Sequence, residues 1–211
     1  FELQEIPLKK IKQDQKIAEY LEKWHVKSQM TGEVKYLNPI QKQEVNKLLQ
    51  KRYAALQFSM GTGKSLCTLA MAQYRIKYSP VRNVFIVSTA LAINNTWEEI
   101  LTDYQIDFYR IRKREDIKRV QKGQIVLLTV NLLTDLKREM KKLVRIRCQK
   151  VMLIFDESDT ISNGSSKRTK AMLSVFRKCR YKVLATGTMT RNNVVEAAPQ
   201  LELLYNNSIH Y

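Results

Sequence analysis

Apolar residues in this chain fall into short unbroken runs, separated by longer stretches in which they recur every three or four positions. The runs are AALQF (54–58), NVFIVS (83–88), IDFYRI (106–111), QIVLLT (124–129), VMLIFDE (151–157) and YKVLAT (181–186). A run without polar alternation predicts a strand covered on both faces. Between the runs lie helical patterns, beginning with the segment LNPIQKQEVNKLL and continuing with SLCTLAMAQYRIKY (65–78). Strand and helix alternating in this way predict an α/β fold of βαβ units, a three-layer domain around a central, mostly parallel sheet. Residues 1–36 do not follow the pattern. They are rich in lysine and glutamine and hold one amphipathic stretch, DQKIAEYLEKWHV, which predicts a helix packed on the body or on a neighbour. The expected division is an N-terminal helical extension over 1–35 and the main domain over 36–211.

Open parallel sheets bind ligands beyond the carboxyl ends of their strands, so polar residues in the loops after the runs are the candidates for chemistry. The first such loop reads FSMGTGKSL (58–66). Gly63, Lys64 and Ser65 fit the end of a phosphate-binding loop, while Phe58 stands where the leading glycine belongs. The loop lies between a predicted strand and a predicted helix, as the motif requires. Gly61 and Gly63 allow backbone angles that turn N–H groups inward, and the helix start adds positive potential for a phosphate. Lys64 then reaches the β and γ phosphates and Ser65 meets Mg²⁺. The alternative is a connecting loop with an exposed lysine.

A second constellation is VMLIFDESDT (151–160), an apolar run ending abruptly in acid. A carboxylate at the tip of a buried strand can hold Mg²⁺ opposite a phosphate loop, since the hard cation takes oxygen ligands and keeps several waters. Asp156 is the candidate Mg²⁺ ligand and Glu157 the candidate that orients and deprotonates water. The alternative, an acidic helix cap, loses weight because Lys64 and Ser65 precede it in the expected chain order. A third loop, in KVLATGTMTRNN (182–193), offers Thr186, Gly187 and Thr188 as small polar links across the cleft.

Composition narrows the classes. The formal charge of +17 over 211 residues favours polyanionic partners, nucleic acid first. Basic density peaks at 109–122 and 136–150, where a solvated helix face is the competing explanation. Cys67, Cys148 and Cys179 show no metal or disulfide spacing, and two histidines near opposite ends argue against a histidine metal site. Cysteine usage points to a reducing, intracellular setting, cytoplasm or nucleus, cellular or viral. No signal peptide is visible, and no run approaches the roughly 18 apolar residues of a membrane span. The chain opens on Phe1 rather than methionine, which points to a trimmed or excised piece.

These motifs together resemble, over about residues 36–206, the first RecA-like P-loop NTPase lobe of a superfamily 2 helicase, most closely the Swi/Snf-type DNA translocases. YLNPIQ resembles the family's Leu-x-Pro-Tyr-Gln segment, which implies an adenine-reading role for Gln41. MGTGKS resembles the family's Met-Gly-x-Gly-Lys-Thr form, where the leading glycine is also absent; it implies nucleotide binding by Met60, Gly61, Thr62, Gly63, Lys64, Ser65 and Leu66. FIVSTALAINNTWEEI resembles motif Ia with its tryptophan, and LIFDESDTISNGSSKRTK and VLATGTMTRNN resemble the acidic-box segment and motif III. Asp159 stands where the family usually has histidine, and Met189 where it has proline. The resemblance implies a DNA-dependent ATPase using ATP and Mg²⁺, with catalytic Lys64, Asp156 and Glu157. It also implies a nucleic-acid track over Ser88, Thr89, Trp97, Thr129, Lys167 and Arg168, with helix caps at Ser88 and Thr89 and a core position for Trp97 as the competing explanations, duplex DNA as partner, and a second RecA-like lobe outside this chain that supplies an arginine. Alternatives are an RNA helicase or restriction-type translocase, or a nucleotide-gated binding module that does not hydrolyse.

Overall fold

The computed structural model describes residues 11–57, 63–147, 150–187 and 194–205. Six parallel strands form the central sheet: β3 (Tyr53–Gln57), β4 (Asn83–Ser88), β5 (Phe108–Arg110), β6 (Ile125–Thr129), β7 (Val151–Asp156) and β8 (Tyr181–Thr186), in the spatial order β3-β8-β7-β4-β6-β5. Each predicted run therefore holds a strand. β4, β7 and β8 are buried at every position, as strands covered on both faces must be.

Successive side chains point to opposite faces, and the two faces nucleate separate cores. Val84 and Ile86 of β4, Ile125 and Leu127 of β6, and Met152 and Ile154 of β7 enter the first core. There they meet α1 (Gln15–Lys23), α2 (Pro39–Leu49), α3 (Lys64–Tyr78) and α5 (Glu98–Asp103) through Leu21, Val45, Leu69 and Leu101. The alternate residues Phe85, Val87, Val126, Leu128, Leu153 and Phe155 enter the second core. This core is closed by α6 (Val130–Asp135), α7 (Lys137–Arg147), α8 (Lys167–Phe176) and α9 (Ala198–Tyr205) through Leu133, Met140, Phe176 and Leu203.

Local signals explain the element starts. Asn38 caps α2, with Pro39 at its first position and Gln41 closing a reciprocal capping box. Arg75 of α3, nearly buried, donates to the carbonyls of Leu49 (2.6 Å) and Lys51 (2.9 Å) and lies over the Tyr181 ring, locking α3 to the loop before β3. On the second face Lys182 is fully buried. Its Nζ donates to the carbonyls of Arg177 (2.6 Å) and Leu203 (2.7 Å) and stands 4.6 Å from the Tyr53 ring centroid. Burial pushes its pKa down to about 8.

The amphipathic stretch near the N-terminus forms α1, which docks on α2 through buried Asn46. That side chain accepts from the Asp14 N–H and donates to the Asp14 carbonyl. After α1 comes an element without a sequence signal, an antiparallel hairpin of β1 (His25–Lys27) and β2 (Val34–Tyr36). Asp103 at the end of α5 holds its turn, accepting from Ser28 Oγ and the Met30 N–H. Among the described residues, no helix is long and apolar enough to cross a membrane.

Candidate nucleotide site

β3 ends at Gln57 and α3 begins at Lys64, so the candidate phosphate loop occupies the connection between them. Met60, Gly61 and Thr62 lie outside the described residues. Gly63 is the cap of α3 and has a left-handed backbone, φ 82°. The left-handed backbone is what requires glycine; a Cβ at this position would also crowd Gln41 Nε2, the far end of a side chain that would have to shift. Gln41 itself accepts the Asn38 N–H through Oε1 at 2.9 Å, which turns its amide nitrogen toward the loop. Lys64, Ser65 and Leu66, all half-buried, form the first turn of α3. The hydroxyl of Thr68 donates to the carbonyls of Lys64 and Ser65 and stiffens that turn.

β7 brings the acids to the same rim. Asp156, only 5% exposed, is its last residue, and its Oδ1 lies 3.1 Å from Lys64 Nζ. The ammonium at the start of α3 therefore neutralises a carboxylate that burial would otherwise penalise. Asp156 Oδ1 also accepts the Glu157 N–H at 3.1 Å, while Oδ2 accepts the indole N–H of Trp97 at 2.9 Å. Glu157 adopts a left-handed backbone, φ 54° and ψ 48°, at a cost of roughly 1–2 kcal/mol for a side-chain-bearing residue. Its Oε2 accepts the Thr89 hydroxyl at 2.6 Å. A strained residue held by a specific partner at a strand tip is a common mark of a functional position.

This is a convergence of residues far apart in the chain on one end of the sheet, with a cation from the strand–loop–helix unit against Asp156 at the end of β7 and Glu157 directly after it. A helicase-family signature fits the same span. The family model of the DEAD/DEAH box helicases matches residues 38–197, well over half of the sequence. The chain belongs to the DEAD/DEAH box helicase family. Two curated relatives are each 27% identical over 65% of the chain: the chromatin-remodeling ATPase INO80 of Arabidopsis thaliana and the SWI/SNF chromatin-remodeling complex subunit snf22 of Schizosaccharomyces pombe. The chain spans about a tenth of the length of these relatives, 10% and 8% respectively.

Solved structures share the fold. The SWI2/SNF2 ATPase core of Sulfolobus solfataricus, solved in complex with dsDNA, superposes with a TM-score of 0.64 at 22% identity, covering 81% of this chain and 36% of that one. The UvsW helicase of bacteriophage T4 gives 0.68 at 17% identity, covering 92% and 66%. The expected RecA-like architecture and the resemblance to Swi/Snf-type superfamily 2 proteins thus agree with what the helicase domain is similar to.

Residues assigned from the sequence to a nucleic-acid track part into two groups in this helicase domain. Ser88, Trp97 and Thr186 are buried. Trp97 meets Asp156 rather than the surface, and Ser88 Oγ has no hydrogen-bond partner among the described residues. Thr89 and Thr129 are half-buried and cap α4 (Ala90–Ala92) and α6. Lys167 and Arg168, in the first turn of α8, and Gly187 are exposed. Arg168 lines a small cavity of about 100 Å³ with Thr89, Ala90, Val130, Asn131 and Thr160. Thr188 and Met189 lie outside the described residues.

Two links were absent from the sequence reading. The Thr89–Glu157 hydrogen bond ties the loop after β4 to the acidic loop. Ser158 Oγ donates to Gln200 Oε1 at 2.7 Å, both residues fully buried, and fastens the acidic loop to α9. The first link lies within a motif that the sequence had marked, whereas Gln200 carried no signal.

Proposed function

We propose that this chain is the ATP-binding first lobe of a Swi/Snf-like superfamily 2 ATPase that acts on duplex DNA. The observation that carries the reading is the 3.1 Å approach of Lys64, the first residue of α3, to Asp156 at the tip of β7. An ammonium already balanced against a carboxylate can exchange that partner for the β and γ phosphates of a nucleotide. Ser65 and Asp156 supply hard oxygen donors, which fit Mg²⁺. Among the described residues, no cluster of three or more His, Cys, Asp or Glu could hold a metal by itself, so this donor pair suits a cation that arrives with phosphate oxygens. Bound there, Mg²⁺ would neutralise charge on the transferring phosphoryl group.

The residues of the chain do the rest. Lys64 draws negative charge toward the start of α3, and Gln41, standing over Gly63, is placed to read the base. Asp156 keeps one oxygen toward the phosphate side, and Glu157, oriented by Thr89, positions and deprotonates the attacking water. In this family the transition-state arginine comes from a second lobe and is worth about 10³ to 10⁵ in rate. The single lobe therefore binds nucleotide and hydrolyses it slowly. Duplex DNA is favoured by the charge of +17 and by the Sulfolobus relative solved with dsDNA.

The test is nucleotide binding by the chain with Lys64→Ala, followed by hydrolysis in the intact protein with Glu157→Gln. The expected results are a loss of affinity of about 30-fold or more for Lys64→Ala, from one lost charge-assisted contact, and DNA-stimulated hydrolysis abolished by Glu157→Gln. Fast DNA-stimulated hydrolysis by residues 1–211 alone would overturn the assignment to a single lobe. A second reading, a nucleotide-gated module without turnover, is favoured by Asp159 in place of the family's histidine. It requires binding without hydrolysis in the intact protein.

A further inference from the structure

Of the two positions the sequence allowed for Trp97, nucleic-acid track or core, the structure shows the core: the residue is 1% exposed and its indole N–H donates to a carboxylate. Asp156 has two oxygens with different duties. Oδ1 faces Lys64 Nζ and the Glu157 N–H, toward the phosphate side. Oδ2 is turned inward to Trp97. The indole bond thus fixes the rotation of the carboxylate and selects the oxygen that faces outward.

The geometry around Trp97 is itself unusual. It ends a π-helical turn, Ile93–Trp97, inserted between the short helix α4 and α5. Single π turns are rare and cluster at functional sites. Asn94 within the turn and Glu98 just after it receive the guanidinium of Arg110, and Glu98 also receives Arg112. The backbone that carries the indole is therefore held from β5 on one side and from the first core on the other. At the opposite end of the same segment Thr89 holds Glu157.

We propose that Trp97 is a positioning residue for Asp156: its N–H orients the carboxylate for the cation that accompanies a nucleotide. The role rests on the nucleotide reading above and goes beyond it by assigning a function to an interior residue that touches neither ligand. Hydrogen-bond partners of a metal-ligating group typically change metal affinity or activity by 10- to 100-fold when removed.

The chain has two tryptophans, which makes the test direct. Trp24 donates to the neutral Gln73 Oε1 at 2.7 Å and serves as the internal control. In the ¹⁵N–¹H spectrum of the wild-type chain, ADP with Mg²⁺ is expected to move the Trp97 indole signal and leave that of Trp24 in place. Trp97→Phe, which keeps a ring in the core, is expected to raise the Mg²⁺ concentration for half-maximal ADP binding about tenfold, with ADP binding in EDTA unchanged. An unshifted Trp97 signal in the nucleotide-bound chain, or an unchanged Mg²⁺ midpoint in folded Trp97→Phe, overturns the role and leaves the nucleotide site standing. Failure of wild type to bind ADP at any Mg²⁺ concentration removes the site and this role together. If Trp97→Phe does not fold, the wild-type spectrum decides, with Trp24→Phe providing the assignment.

Discussion

The two faces of the sheet are built from the same strands and do different work. On the first face the helices send polar groups to the strand tips: Lys64 from α3, Gln41 from α2 and Trp97 from the turn before α5 all end within the candidate site. On the second face the buried polar groups serve the scaffold. Lys182 ties β8 to the ends of α8 and α9, and Ser158 and Gln200 brace the acidic loop from below. Adjacent residues of one strand, such as Phe85 and Ile86, therefore belong to regions with different tolerances. A substitution on the second face should cost stability alone, and one among the polar groups of the first should cost binding.

Three measurements sharpen or break this division, the largest effect first. Phe176→Ala opens a cavity in the second core and is expected to cost about 3–5 kcal/mol in urea unfolding. The folded fraction should bind nucleotide as wild type does, and a parallel loss of affinity would break the division. Next is Lys182. Its folded pKa, about 8, lies below the ordinary 10.5, so the unfolded chain binds more protons between these values. Stability from this group is then present above 10.5 and lost as pH falls through 8, a swing of about 3 kcal/mol at 1.36 kcal/mol per unit. Cys67, pushed up to about 12 by burial, acts in the opposite direction above its usual 9. The readout is therefore the stability of wild type minus that of Lys182→Met, which should rise with pH from 8 onward. A flat difference would show that the two carbonyls and the Tyr53 ring fully compensate the buried charge. Smallest is Glu98→Gln on the first face, which weakens the pairs to Arg110 and Arg112. It is expected to cost less than about 1 kcal/mol, diminishing in salt, with faster amide exchange confined to Ile93–Trp97. Exchange rising across the whole domain would mean that the pairs support the fold rather than that segment.

Much of this architecture was legible because buried parallel strands write continuous apolar runs, and each strand overlaps a predicted one, β3 beginning one residue earlier. The hairpin β1–β2 was not, since its strands are three residues each and largely exposed, leaving no alternation to read. Charge was legible only as density. At 109–122 the residues Arg110, Arg112 and Arg114 pair with Glu98 and Glu139, and Asp116 accepts the N–H groups of Arg112 and Lys113. The stretch at 136–150 instead contains the whole of α7, with Met140 and Val144 inward and Lys141, Lys142 and Arg145 exposed. In the first run three of seven basic side chains thus meet acids, two of those three remaining exposed, while α7 turns Lys141, Lys142 and Arg145 to solvent, a distinction that depends on partners distant in sequence. The candidate site followed a similar rule. Lys64, Asp156 and Glu157 were found from motifs because their chemistry needs fixed residue types. The indole of Trp97 was left open between the nucleic-acid track and the core because a motif gives the neighbourhood of a side chain and not its direction.

The pairing of β7 with its neighbours, Phe155 beside Val87 and Leu184, and Asp156 beside Ala185, has one more consequence. In a sheet with an apolar layer on either side, sliding this strand by a single position would exchange Met152 and Ile154 with Leu153 and Phe155 between layers of different shape. Every interior methyl and ring along β7 therefore votes on the height at which the acid emerges. Alignment at the rim is enforced by hydrocarbon at a distance from it, so repacking that leaves the strand in place can be tolerated while any slippage silences the site outright.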